Sequence, residues 1–359
     1  MTALARSGPR SGPRNLITDV PGLRLGQAQD AAARTGVTVI LPDTAAVAAV
    51  DVRGGGPGTR ETDALAPENL VDAIDAIVLA GGSVYGLAAA DGAAAFLGAR
   101  GRGYALVARD GVPPSPVIPA AILYDLANGG DKAWGEAPPY RALGRAATEA
   151  ADASAPGAAF ALGTAGAGYG AMAGALKGGL GSASVVTLEG ITIGAVVAVN
   201  SFGAVVAPGS RAFWAAPYEL EAEFGGLGAG DLRAAPDDWG LAKANPAAGQ
   251  SATLGARQNT TIACVATDAA LTPAQARRLA IMAQAGLARA IRPVFAPFDG
   301  DVVFALSTGQ QPLPQPQNLS LARLGALAAD TLARAIARGV FEARPWAKGA
   351  PPCWRDLPT

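Results

Sequence analysis

The sequence contains no histidine. Without imidazole neither a Ser-His-Asp nor a Cys-His nucleophile can be assembled, and the usual zinc site loses a principal ligand. Hydrolytic chemistry in this chain must take its base from lysine, tyrosine, a carboxylate or an α-amine. Cysteine is nearly absent: Cys264 and Cys353 stand far apart without metal-ligand spacing, so the cytoplasm is the expected compartment. An excess of basic charge is missing too. With 28 Lys and Arg against 29 Asp and Glu, the net charge is −1, and a general nucleic-acid partner is not expected. No apolar run reaches the roughly 18 residues of a membrane span, so no membrane partner is expected either. Residues 1–14 are basic and rich in Gly and Pro, but no apolar segment follows as in a secretory signal. They read as a disordered lead.

What is present is 359 residues, half of them hydrophobic, with 47 glycines, enough for one large core of small side chains packed closely. The segment 15–26 reads as extended chain broken by a Pro21-Gly22 turn, and residues 38–41 and 47–52 as short strands. Residues 76–80 form a buried strand, after which Ser83 caps a helix to about Leu97. Residues 104–108 are a strand candidate, 117–126 either helix or strand, and 140–153 a helix. Glu189-Gly190 joins two Val- and Ile-rich runs, 184–188 and 191–200, into a hairpin. Pattern fades over 208–258, which reads as a long surface loop, and returns sharply at Thr260 with the strand 260–266. Thr272-Pro273-Ala274-Gln275 has the form of a capping box opening a helix to about Ile291, where Pro293 stops it. Residues 301–306 read as a strand, 319–341 as an amphipathic helix, and 344–359 as a Pro-rich arm. Strands and helices alternate irregularly, which favours an α+β layering over a strict parallel βα repeat.

A polar stretch, Arg257-Gln258-Asn259, gives way abruptly to a strand that begins at threonine. A threonine hydroxyl there can attack the carbonyl before it, and hydrolysis of the resulting ester frees the threonine α-amine. Such an amine, with a pKa of about 7.7–8.0, is partly neutral near pH 7 and can serve as base to its own hydroxyl. This chemistry needs no imidazole. Taken alone, Asn-Thr-Thr is ordinary turn chemistry followed by β-branched packing. Other residues add to it. Asp299-Gly300-Asp301 offers two carboxylates to orient the hydroxyl and hold the amine, or else a plain Asp-Gly turn. Asn200 ends an apolar strand and could donate to an oxyanion. Lys177, one of four lysines, sits among glycines and could lower a hydroxyl pKa or steady developing charge; Tyr124 could lend its phenol. The Gly-rich stretch 163–181 lacks both a P-loop ending and a dinucleotide fingerprint, so no cofactor and no metal is expected. Arg53 and Arg60 are better read as ion-pair residues than as a carboxylate site, and Cys264 as a small buried hydrophobe.

Ile17 to Gly22, Val50 to Asp63, Leu79 to Gly86, Gly166 to Gly179, Val199-Asn200 and Asn259 to Ile262 together resemble one family. It comprises the L-aminopeptidase/D-esterases, β-peptidyl aminopeptidases and 6-aminohexanoate-oligomer (nylon-oligomer) hydrolases, and the likeness spans about residues 15–341. The resemblance implies an α+β fold, a four-layer αββα sandwich over residues 15–343. It also implies self-cleavage at Asn259–Thr260 into segments 1–259 and 260–359, assembled as a homotetramer. It assigns the nucleophile to Thr260, the hydrogen-bonding acid pair to Asp299 and Asp301, and supporting positions to Asn200, Lys177 and Tyr124. Many aminopeptidase members of the family carry Ser at the nucleophile and Ser and Glu where this chain has Asp299 and Asp301; a histidine common after Gly26 is Gln27 here. The expected substrate is a short peptide or an oligoamide of the nylon type. Two other readings stay open: acyl transfer of the ornithine acetyltransferase type, and a fold relative that has lost the chemistry.

Overall fold

The computed structural model describes residues 8–230, 232–249 and 259–358. Among these, two five-stranded sheets lie face to face. The first is built from β1 (Leu23–Asp30), β2 (Thr35–Pro42), β4 (Thr59–Arg60), β5 (Ile77–Ala80) and β6 (Ala120–Ile122), in the order β1-β2-β5-β6-β4. The second contains β3 (Val47–Val52), β9 (Gly179–Val186), β10 (Thr192–Asn200), β11 (Thr260–Ala269) and β12 (Val302–Gln311), in the order β3-β12-β11-β10-β9. A small hairpin of β7 (Met172–Ala173) and β8 (Leu176–Lys177) stands beside them.

Alternation along the strands builds the layers, since successive side chains point to opposite faces. Ile262, Cys264 and Ala266 of β11, with Val302, Phe304 and Leu306 of β12, join Leu23, Ile40, Ile77 and Leu79 in the core between the sheets. Ala263, Val265, Val303 and Ala305 face the other way, onto α3 (Pro273–Ala283), α4 (Ala285–Ala290) and α5 (Gln317–Phe341). On the outer face of the first sheet, Val37, Val39 and Val78 pack against α1 (Ala89–Gly98) and α2 (Tyr140–Ala153). The result is the four-layer αββα sandwich implied by the resemblance. Leu324, Leu332, Ile336 and Val340 of α5 are buried, and each such side chain contributes about 1.5–3 kcal/mol through removal from water.

The capping box forms as read: Thr272 Oγ1 accepts from Gln275 N–H at 3.2 Å and Gln275 Oε1 accepts from Thr272 N–H at 2.9 Å. The helix it opens divides at Gln284 into α3 and α4. Several expectations are corrected. Ser83 has φ +52° and opens a 3-10 turn, so α1 starts only at Ala89; the Gly82 N–H is held by Asp125 at 2.8 Å and fixes that bend. Residues 104–108 form no strand, only a single bridge from Tyr104 to Ser115. The 208–258 stretch is no mere surface loop, because Phe213, Ala215 and Phe224 are buried against α5; positions 231 and 250–258 lie outside the described residues. Of the expected lead, residues 1–7 also lie outside them, while Arg10 bridges to Val186 at the end of β9. No helix among the described residues is long and apolar enough to cross a membrane.

Candidate active site

β11 lies between β10, antiparallel to it, and β12, parallel to it. The register sets Thr260 opposite Asn200, and on the other side the Asn259–Asp299 bridge sets it level with Gly300. The alternation of β11 and β10 turns Thr260 and Asn200 toward the space between the sheets, where Ile262, Cys264, Val196 and Ala198 also lie. Parallel pairing thus brings the start of one strand and the loop before the other to the same spot. This is why residues forty apart in the chain meet here.

Thr260 is buried, 4% exposed, and its Oγ1 lies against the carbonyl oxygen of Asn259, the residue before it. That same carbonyl oxygen accepts the Gly300 N–H at 3.1 Å. Asp301 accepts the Thr261 N–H at 2.7 Å through Oδ1 and the Phe295 N–H at 3.2 Å through Oδ2; Asp299 accepts the Ala296 N–H at 2.9 Å. Burial raises the pKa of both carboxyls above the usual range, and the neighbouring Asp299 charge raises Asp301 further. A glycine strap reinforces the loop: Arg53 and Gly54 N–H groups donate to the Asp301 carbonyl at 3.1 and 3.2 Å, and Gly56 N–H to Asp299 at 2.7 Å. A Cβ on Gly54 would come within 2.3 Å of Asp301 N, so only glycine allows the approach.

Asn200 is buried, accepting the Met172 N–H at 2.9 Å and donating to the Tyr124 backbone carbonyl at 3.0 Å. Tyr124 thus meets Asn200 through its backbone carbonyl. Lys177 is fully buried, not a solvated loop lysine. Its ammonium donates to the carbonyls of Gly178 (2.7 Å), Ala171 (3.0 Å) and Gly168 (3.3 Å), and burial lowers its pKa to about 7. The readings of Arg53, Arg60 and Cys264 hold: Arg53 pairs with Asp51, Arg60 with Asp91, and Cys264 is buried between the sheets. Gln27, in place of the family's histidine, donates to the Ala161 carbonyl at 2.9 Å. Among the described residues no cluster of Cys, Asp and Glu could hold a metal ion.

Two contributors escaped the sequence reading. Gly300 supplies a backbone N–H, which composition cannot advertise, although its place between two aspartates was a signal. Lys243 lies in the stretch read as loop. Its N–H donates to the Phe202 carbonyl at 2.9 Å, and Phe202 packs edge-on to Phe298, next to Asp299, at 4.8 Å. Burial lowers the pKa of Lys243 to about 7, against the opposing pull of Asp299. Its rarity as one of four lysines was the available clue.

The family model of peptidase family S58 matches residues 15–350. An uncharacterized aminopeptidase of Mycobacterium tuberculosis is 45% identical, covering 96% of this chain and 98% of its own. A 6-aminohexanoate-oligomer endohydrolase of Kocuria sp. is 31% identical over 91% and 86% of the two chains. In fold, a Burkholderia sp. β-aminopeptidase superposes with a TM-score of 0.65 at 24% identity, covering 96% of this chain and 91% of its own. The L-aminopeptidase D-Ala-esterase/amidase of Ochrobactrum anthropi, a variant of the Ntn hydrolase fold, does so with a TM-score of 0.65 at 22% identity, over 95% and 90%. The chain belongs to peptidase family S58 and is a hydrolase of amide bonds.

Proposed function

We propose that the chain cuts itself between Asn259 and Thr260 and then hydrolyses short peptides or oligoamides through an acyl ester on Thr260. The observation that carries this is the placement of Thr260 Oγ1 against the carbonyl before it, with the Gly300 N–H already bonded to that carbonyl oxygen. In the first step Oγ adds to the Asn259 carbonyl carbon while the oxygen gains negative charge, which the Gly300 N–H stabilises. The C–N bond breaks, the nitrogen takes up the proton lost by the hydroxyl, and an ester remains. Water hydrolyses it to an Asn259 carboxylate and a free Thr260 amine.

In turnover that amine accepts the Oγ proton as Oγ attacks a substrate carbonyl, and the departing amine takes the proton away. Water then resolves the acyl ester. Asp301, bonded to the Thr261 N–H, keeps the strand start in place and holds negative charge beside the new ammonium. The names of the relatives support two substrate classes, peptides clipped from a free amino end and 6-aminohexanoate oligomers cut internally. Capped oligomers separate them: release of internal fragments marks the second. The cleaved protomers assemble as a homotetramer in this reading. Thr260→Ala tests the whole scheme. It is expected to abolish both chain cleavage and amide hydrolysis, with Thr261→Ala keeping some of each; an active, cleaved Thr260→Ala protein would refute it.

A further inference from the structure

After α5 the chain turns back over Lys177. Thr164 Oγ1 donates to the Arg344 carbonyl at 2.6 Å and accepts the Arg344 N–H at 2.9 Å, pinning the start of the arm. Trp346 then points inward, 8% exposed, with its indole N–H on the Tyr169 carbonyl at 2.9 Å. The Lys177 ammonium is 5.1 Å from the Trp346 ring centroid and the Arg34 guanidinium 4.7 Å. Further along, the Pro352 carbonyl accepts the Lys177 N–H at 2.8 Å, and the Lys348 carbonyl accepts from Arg34 at 2.7 Å. An ammonium has three N–H donors, and Lys177 commits them to three backbone carbonyls; the indole closes the cage with its electron-rich face.

One of those carbonyls carries the consequence. The Ala171 oxygen on Lys177 and the Met172 N–H on the Asn200 side chain belong to the same peptide group. A peptide group is planar, so moving one end tilts the other. Asn200 sits opposite Thr260 in the β10–β11 register.

We propose that the C-terminal arm is a working part of the active site. Trp346 is its positioning residue, holding the Lys177 ammonium on the Ala171–Met172 peptide and through it fixing the Asn200 amide beside Thr260. The catalytic half of this inference rests on Thr260 as nucleophile; the sealing of Lys177 by the arm does not.

The test uses the full-length protein and its variants Trp346→Leu, which fills space without a π face, and Trp346→Phe, which keeps one. Four lysines make amine labelling readable by peptide mass, with exposed Lys348 as an internal standard. Acylation of Lys177 relative to Lys348 is expected to be suppressed in the parent protein and in Trp346→Phe, and to rise about tenfold in Trp346→Leu, whose ammonium loses the face that held it. Turnover of Trp346→Leu should fall about tenfold in kcat with KM little changed, Trp346→Phe should stay within about threefold of the parent, and Trp346→Leu should add nothing on a Lys177→Met background. Labelling of Lys177 at the Lys348 rate in the parent protein, or equal kcat for the Leu and Phe variants, overturns the proposal. Because labelling is read whether or not the chain is cut, a parent protein that stays uncleaved would remove the Thr260 reading while the arm is still judged on Lys177 protection.

Discussion

Gly300→Ala isolates the geometry on which the proposed self-cleavage depends. Gly300 lies outside the left-handed backbone region, so alanine meets no positive-φ penalty. The cost is contact. A Cβ built there stands 2.7 Å from Thr260 Oγ1, 3.1 Å from its Cγ2 and 2.9 Å from the Gly56 carbonyl oxygen. Thr260 or the Gly300 loop must therefore retreat by about half an ångström, and crowding of this kind costs about 1–3 kcal/mol of stability. A displacement of about 1 Å at a reacting atom can slow a reaction about a hundredfold, so self-cleavage is expected to slow by about ten- to a hundredfold. The Gly300 N–H persists in the variant, so the change tests position and not the loss of a donor. The assay is a time course after synthesis, following loss of the intact chain on a denaturing gel, with far-UV circular dichroism and a melt confirming the fold. Cleavage of a folded Gly300→Ala protein at the parent rate would refute the assignment of Thr260 Oγ1 as the attacking atom.

Two other perturbations read different links. Burial raises the pKa of both Asp299 and Asp301, and the groups facing them are each other and Lys243; the proposed cleavage would add the Thr260 amine. Turnover that needs the Asp301 carboxylate is present above its raised pKa and lost as pH falls through it. The acid limb of the kcat/KM profile is therefore expected well above the ordinary carboxylate range. Asp299→Asn removes the like charge, lowers the Asp301 pKa and should move the residual limb to lower pH; an unmoved limb would count against the pairing. Arg334 on α5 and Glu223 form an ion pair 3% and 6% exposed that ties the segment before the proposed cleavage point to the one after it. Arg334→Met should cost about 1–3 kcal/mol, seen as a lower denaturation midpoint, because Glu223 loses its shortest ion-pair partner but keeps Arg338 and the Asn15 amide.

The architecture was legible wherever periodicity was strong. Strand alternation at 260–266, the Thr272–Gln275 cap and the helix 140–153 stand where composition placed them, because local propensity and burial agree there. It failed where tertiary contacts override local signals. Nothing local says that the Gly82 N–H will be taken by Asp125, 43 residues away, or that Phe213 and Phe224 of an irregular stretch will seat against α5. For the site, Thr260 with Asp299 and Asp301 could be proposed because their chemistry is carried by side chains. Their meeting depends on the parallel β11–β12 register, and the Gly300 N–H and the carbonyl cage around Lys177 are backbone features that one-letter codes do not display.

The most direct measurement is the mass and N-terminal sequence of the species that hydrolyses amides, taken from one active preparation under denaturing conditions. Two fragments are expected, the smaller starting at Thr260 and ending at Thr359, with activity rising in proportion to its appearance. Full activity in a single unbroken polypeptide would contradict the account.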